Sequence, residues 1–156
     1  MILMEGEWKP PEWWYRNKRP TSDEAYFENM SRVIFQAGLN WNVIDKKWTT
    51  TKTAFAEFSI TKVACFTDKD VQRLMNDTGI VRNKSKVCAL IQNASEFQNV
   101  KKQHGSFQAY LDNLDKSKNY SLVMEELTKR FKRLGPSSAS LFLYSAGEDI
   151  KHSDMM

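Results

Sequence analysis

The chain has 156 residues, 41% hydrophobic and 27% charged: enough for one domain with an apolar core, and too short for two comfortable ones. Its net charge of +4 permits a polyanionic partner without establishing one. No run of about 18 apolar residues occurs, so no membrane span is expected, and the apolar start Met1–Met4 is too short for a signal peptide.

Residues 1–20 read as an irregular, aromatic-rich segment. Pro10, Pro11 and Pro20 interrupt any helix there. Trp8, Trp13, Trp14 and Tyr15 still need apolar partners, so the segment is expected to pack on the domain. From Thr21 to His152 the chain reads as helix after helix, followed by a short tail, 153–156. Thr21 and Glu24 have the spacing of a capping box, and Tyr26, Phe27, Met30, Val33, Ile34 and Ala37 follow at helical spacing. Gly38 suits a left-handed cap. A second helix is expected from Asn42 to Phe58, a short one after Ser59, and another opened by Thr67 and Asp70. Asn83 begins a long helix whose core stripe is Val87, Leu90, Ile91, Ala94 and Phe97, closed near Gly105. Ser106 caps a short helix, 112–119 reads as a polar loop, and Ser121 starts a helix running toward Gly135. Pro136 suits the first turn of a last helix. Strand-like alternation is nearly absent, so the fold class is all-α in a single domain. Cys65 and Cys88 lie in apolar stretches without CxxC spacing and are expected as buried free thiols in a reducing cytosol.

Three segments carry groups suited to chemistry. The first is Leu134-Gly135-Pro136-Ser137-Ser138, a glycine turn followed by a helix N-terminus. Such a terminus presents unpaired N–H groups that suit a phosphate, and Lys129, Arg130, Lys132 and Arg133 lie just before it. Alone, the feature reads more simply as an ordinary helix–helix turn beside a solvated basic face. The second runs from Thr78 to Lys86, with Asn83 as N-cap and Arg82, Lys84 and Lys86 nearby. Cations at a helix N-terminus oppose its dipole, which hints at a use for them. The third runs from Phe35 to Trp41, where a glycine-ended helix presents the amide of Gln36 and the indole of Trp41, groups suited to hydrogen bonding and base stacking. A core tryptophan beside a helix stop is the plainer account of it.

In order and spacing, the three together resemble the 3-methyladenine DNA glycosylase I family of the helix-hairpin-helix DNA glycosylase superfamily. That family's Q-A-G-L-S-W segment is matched by Gln36-Ala37-Gly38-Leu39-Asn40-Trp41, and its F-x-x-F-D stretch is echoed by Phe55-Ala56-Glu57-Phe58-Ser59. Its D-x-G-I-I-R-x-x-x-K-I segment resembles Asp77 to Val87, its I-x-N-A resembles Ile91-Gln92-Asn93-Ala94, and its C-terminal G-F-x-F-V-G-P-T-T hairpin is similar to the stretch ending Gly135-Pro136-Ser137-Ser138. The resemblance spans Tyr26 to His152.

The resemblance implies a helical base-excision repair enzyme that flips an alkylated base such as 3-methyladenine out of double-stranded DNA and hydrolyses its N-glycosidic bond. Gly135, Ser137 and Ser138 would hold the DNA backbone, assisted by Lys84 and Lys86. Gln36 and Trp41 would border the base pocket, with Trp13, Trp14 and Tyr15 rebuilding a wall. No cofactor, no lyase lysine and no membrane contact are implied, and a cytoplasmic, nucleoid-associated monomer is expected.

The sequence departs from the family at the pocket. The glutamate that the family keeps eight residues before the tryptophan is Val33 here, and the Y-H-D-x-E-W-G stretch is replaced by Pro10 to Asn17. The family's structural zinc uses Cys and His near both termini; here His152 stands without its cysteine, at Met156, so no metal is expected. His104 reads as a surface or capping residue. Glu12, Asp45 and Glu28 are candidate carboxylates, and nothing in the sequence selects among them. The alternative function is a DNA-binding module on the same scaffold that no longer cuts.

Overall fold

The computed structural model describes residues 10–151. Trp8, His152, Met156 and the 153–156 tail lie outside them. Among the described residues the fold is all-helical, as expected. Its helices are α1 (Asp23–Gln36), α2 (Trp41–Ala54), α3 (Ile60–Ala64), α4 (Asp68–Met75), α5 (Lys84–His104), α6 (Phe107–Asp112), α7 (Ser117–Arg130) and α8 (Pro136–Ser145), with a 3-10 turn at Ala56–Phe58.

Most boundaries follow from local capping. Asn40, Ser59, Asn83 and Ser106 each accept a backbone N–H in the first turn of the helix they open, and Thr67 with Asp70 forms a capping box. Gly105 closes α5 at φ 87, and Gly38 turns the chain after α1 at φ 77.

The structure corrects several expectations. Ser22, not Thr21, caps α1, accepting from Ala25 N at 3.1 Å. Its neighbour Asp23 instead accepts from Phe107 N at 2.9 Å, tying α1 to α6. The second helix stops at Ala54, and Ala56, Glu57 and Phe58 all have positive φ. Left-handed non-glycine residues cost roughly 1–2 kcal/mol each. Packing offsets that cost: the turn buries Phe55 and Phe58, whose rings stack at 5.7 Å, with Trp48 on Phe58 at 5.3 Å. A similar left-handed turn at Lys118, Asn119 and Tyr120 stands where the polar loop was expected to end. It aims the Tyr120 hydroxyl at Glu148 and the Asn119 amide at the backbone of Lys151. Cys65 is exposed and Cys88 half-buried, not the two buried thiols expected, because Cys65 caps the short helix α3 on its outer side.

The long helix α5 is the central post, packed against α1, α3, α4, α6 and their side chains. Its buried stripe Val87, Leu90, Ala94, Phe97 and Val100 meets Phe27 and Phe107. The segment 10–20 docks on the far end of α8. Tyr15 N donates to Ser145 O at 2.7 Å, and Gly147 approaches so closely that a Cβ there would sit 1.8 Å from Lys18 O. Arg19 then pairs with Glu148 at 2.9 Å and Asp112 at 2.8 Å, and Lys116 pairs with the same two carboxylates. The hydrogen bonds from Arg19 and Lys116 hold the Asp112 carboxyl below the usual carboxylate range. Among the described residues no helix is long and apolar enough to cross a membrane.

Candidate functional site

A cleft of about 680 Å³ opens where α1 ends and α2 begins, closed on its outer side by the 10–20 segment. Its walls include Glu12, Trp13, Arg32, Gln36, Trp41 and Asp45. Arg32 and Gln36 share a face of α1 because they are four residues apart. Gly38 then reverses the chain so that Trp41, the first residue of α2, stands at the rim with 39% of its surface exposed. Leu39 and Val43 are exposed beside it. These residues are most of the large exposed hydrophobics among the described residues, so the rim is an apolar patch next to a polar floor.

Arg32 organises that floor. Its guanidinium lies over the Trp13 ring at 4.7 Å and over the Trp48 ring at 5.1 Å. One edge donates to Asp45 at 2.7 Å. Burial lowers the Arg32 pKa, and the bond to Asp45 works against that. Trp48 is itself fixed by its indole N–H, which donates to Glu28 at 2.9 Å. Of the three candidate carboxylates, Asp45 and Glu12 line the cleft. Glu28 lies behind it, engaged with Trp48 and Lys52.

The expected pocket residues do not all arrive at one place. Gln36, Trp41 and Trp13 line the cleft. Trp14 is buried behind it, with ring centroids 6.0 Å from Trp13, 6.4 Å from Trp41 and 5.3 Å from Tyr144, so it props the wall. Tyr15 faces a neighbouring hollow with Lys18 and Glu28, where burial and then the Glu28 charge raise its pKa. Val33 is buried in the core, one residue round the helix from the face that meets the cleft. Sequence reasoning missed Arg32 and Trp48. The signal available was the spacing of Arg32 to Gln36 on one face.

The hairpin packs against α5 through Asn93. Arg133 adopts φ 61, Leu134 is buried, and Gly135 caps α8 with Pro136 in its first turn. Ser137 is exposed and Ser138 half-buried, and the first N–H groups of α8 have no acceptor within the helix. Asn93 locks this turn: its Oδ1 accepts from Lys132 N at 2.7 Å and its Nδ2 donates to Lys132 O at 3.1 Å. Lys132 and Arg133 are exposed. Arg130 is committed to Glu96 and Gln103, and Lys129 to Glu125.

The two lysines expected on DNA part company. Lys84 is exposed on the first turn of α5. Lys86 is buried, and its ammonium donates to Phe35 O at 3.0 Å and Ala37 O at 2.8 Å, the carbonyls left open at the end of α1. Two of its three N–H donors are spent there and the side chain is buried, so it is not the exposed phosphate contact expected. Burial lowers its pKa, and the nearby charge of Arg133 adds to the effect. Lys86 thus joins the end of the cleft helix to the start of α5, within reach of the hairpin's charge. His104 sits in the last turn of α5 with its ring 5.2 Å from Tyr110.

Comparison with known proteins places this architecture. The model of the methyladenine glycosylase family matches residues 11–142. The chain is 34% identical over 93 residues to DNA-3-methyladenine glycosylase 1 of Escherichia coli (strain K12), covering 60% of this chain and 46% of the relative. It is 28% identical over 107 residues to DNA-3-methyladenine glycosylase of Haemophilus influenzae, covering 69% and 54%. The match thus spans about half the length of these curated relatives. Among solved structures, a 3-methyladenine DNA glycosylase I variant in complex with 3-methyladenine superposes with a TM-score of 0.77 at 26% identity, over 96% of this chain and 93% of that one. The Staphylococcus aureus 3-methyladenine DNA glycosylase I gives 0.75 at 27%, over 90% and 84%.

Proposed function

The chain belongs to the methyladenine glycosylase family, and from that premise we propose that it is a DNA N-glycosylase that excises alkylated bases by base flipping and hydrolysis. The observation that carries this reading is the pairing of an aromatic-walled cleft with a glycine-capped hairpin on one helical frame, the two joined through Lys86 and α5. The hairpin N–H groups, with Lys132, Arg133 and Lys84, hold the phosphates of one strand. Leu39 and Trp41 meet the duplex at the rim, where apolar side chains replace the stacking lost by an extruded base. The flipped base enters between Trp13 and Trp41.

A base alkylated on a ring nitrogen such as N3 is cationic in the nucleoside, so it is already a good leaving group. Water adds at the sugar C1′ as the C1′–N bond breaks, the bond's electron pair leaves with the base, which departs neutral, and the water's proton is released to solvent. The protein's work is then to extrude and orient, which needs little acid-base help. This accommodates Val33 in place of a glutamate, while Asp45 and Glu12 are the carboxylates on the cleft wall. The chain acts on double-stranded DNA as a monomer, without cofactor, in the cytoplasm among the nucleoid.

The test is base release from methylated duplex DNA by purified protein, with chromatographic identification of the free base. Release of 3-methyladenine above the spontaneous background supports the reading. No release, with salt-sensitive duplex binding intact, makes the chain a binding module on this scaffold.

A further inference from the structure

Two donors lie closed off beneath the floor of the cleft. The Arg32 Nε and the Gln36 Nε2 are both buried and neither has a hydrogen-bond partner. Arg32 is 7% exposed and Gln36 2%, and both line the cleft. A buried donor without an acceptor is a standing cost, which a bound acceptor relieves. The two groups differ in what they can accommodate. An amide can turn either its oxygen or its nitrogen toward a ligand, whereas a guanidinium has donors only. The faces of the Arg32 guanidinium are covered by Trp13 and Trp48, so it bonds through its edges. One edge is given to Asp45, and the Nε–H is left over. The tryptophans and the Asp45 pair fix the group in place, so the polarity of the floor is built into the fold.

Resting on the reading of this cleft as the base pocket, we propose that Arg32 makes it selective for bases with a carbonyl oxygen on the recognised edge. Alkylated 6-oxopurines are then taken in preference to alkylated 6-aminopurines. A 6-oxo group offers two lone pairs to the Arg32 Nε–H and the Gln36 amide. A 6-amino group turns N–H toward N–H at the same place and leaves the Arg32 donor buried and unpaired. A mismatch of this kind in a site built for the other polarity separates two ligands by about tenfold or more. Arg32 acts on the choice of base, and the bond-breaking step needs nothing from it.

Two measurements test this. The first is binding of free hypoxanthine and free adenine to the wild-type protein, followed by quenching of tryptophan fluorescence. The bases differ at the 6-position and the adjacent ring nitrogen, and the measurement requires neither catalysis nor a variant. Hypoxanthine is expected to bind about tenfold more tightly. The second is the ratio of 3-methylguanine to 3-methyladenine released from methylated duplex DNA, each normalised to its content in the substrate. In Arg32→Gln, checked for a native circular dichroism spectrum, both ratios fall toward one. Equal binding of the two bases, tighter binding of adenine, or binding of neither overturns the proposal. Faster release of 3-methyladenine also overturns it while leaving the glycosylase reading intact. Preferential hypoxanthine binding with no base released from any duplex does the reverse: the selectivity stands and the glycosylase reading fails.

Discussion

Lys86 separates two accounts of the same sequence, because a DNA contact and a buried clamp respond differently to its removal. Lys86→Met keeps most of the stem's volume and deletes the ammonium that donates to Phe35 O and Ala37 O. Ala37 is exposed, so water can take over its carbonyl; Phe35 is buried, so its carbonyl is left unpaired. One buried orphan acceptor costs about 1–3 kcal/mol, and part of that is returned because the ammonium no longer has to be desolvated. The expected loss is about 2 kcal/mol, or a Tm lower by roughly 4–8 °C for a domain of this size. The linkage has a definite sign. Burial lowers the folded-state pKa of Lys86, so the unfolded chain holds that proton more tightly. Wild-type stability therefore gains from this residue as pH rises through the window between the lowered value and the ordinary lysine range, and Lys86→Met lacks that gain. Thermal and urea denaturation read these effects. Duplex binding over a salt series reads the other arm. Lys86→Met should leave the salt dependence unchanged, whereas Lys84→Met should lower the slope of log affinity against log salt by about 0.9 and alter stability by less than about 0.5 kcal/mol. A Lys86→Met protein with unchanged Tm and a reduced salt slope would refute the clamp.

Asn93→Ala removes both bonds to Lys132, lowering stability by about 1–3 kcal/mol and weakening duplex binding by loosening the hairpin; unchanged binding in a filter or anisotropy assay would detach the hairpin from DNA. Trp41→Ala touches an exposed ring, so its Tm should move little, while calorimetric affinity for a free purine base falls by about 1–3 kcal/mol of lost stacking. Full affinity in that variant would take the rim out of the pocket. Asp112→Asn tests the fastening of the N-terminal segment by pH. The Arg19 and Lys116 bonds depress the folded-state pKa of Asp112, so its stabilisation is present above the ordinary carboxylate value and is lost as pH falls through the depressed one. The variant should show a flatter acid limb in stability against pH; an unchanged limb counts against the pairing. Gly147→Ala places a Cβ 1.8 Å from Lys18 O at a φ of 82, so it should cost about 3 kcal/mol or more and expose residues 10–20 to limited proteolysis. Wild-type resistance to protease would mean that the segment does not dock there.

The helices were legible because their signals are local. Asn83 needs only the N–H of Lys86 three residues on, and the box of Thr67 and Asp70 is complete within one turn. What escaped was settled at a distance. Ser22 rather than Thr21 caps α1, in a register where Asp23 serves Phe107. Lys86 reads as a surface cation because its acceptors lie 51 and 49 residues away. The same holds for the polar residues that interrupt apolar stripes. Arg32, Gln36, Lys86 and Asn93 are all buried: the first two line the cleft, Lys86 ties the end of α1 to α5, and Asn93 ties α5 to the hairpin turn. Asn29, Ser145 and Glu148 are also buried: Asn29 bonds α1 to Ser145 of α8, and Glu148 fastens the N-terminal segment through Arg19. A buried polar side chain on a helix is costly wherever it lacks a partner. In this fold most of these residues mark places where the chain is held against itself. Arg32 and Gln36 differ in that their buried donors lack acceptors and their side chains also line the cleft, so there an unspent donor and space for a ligand coincide.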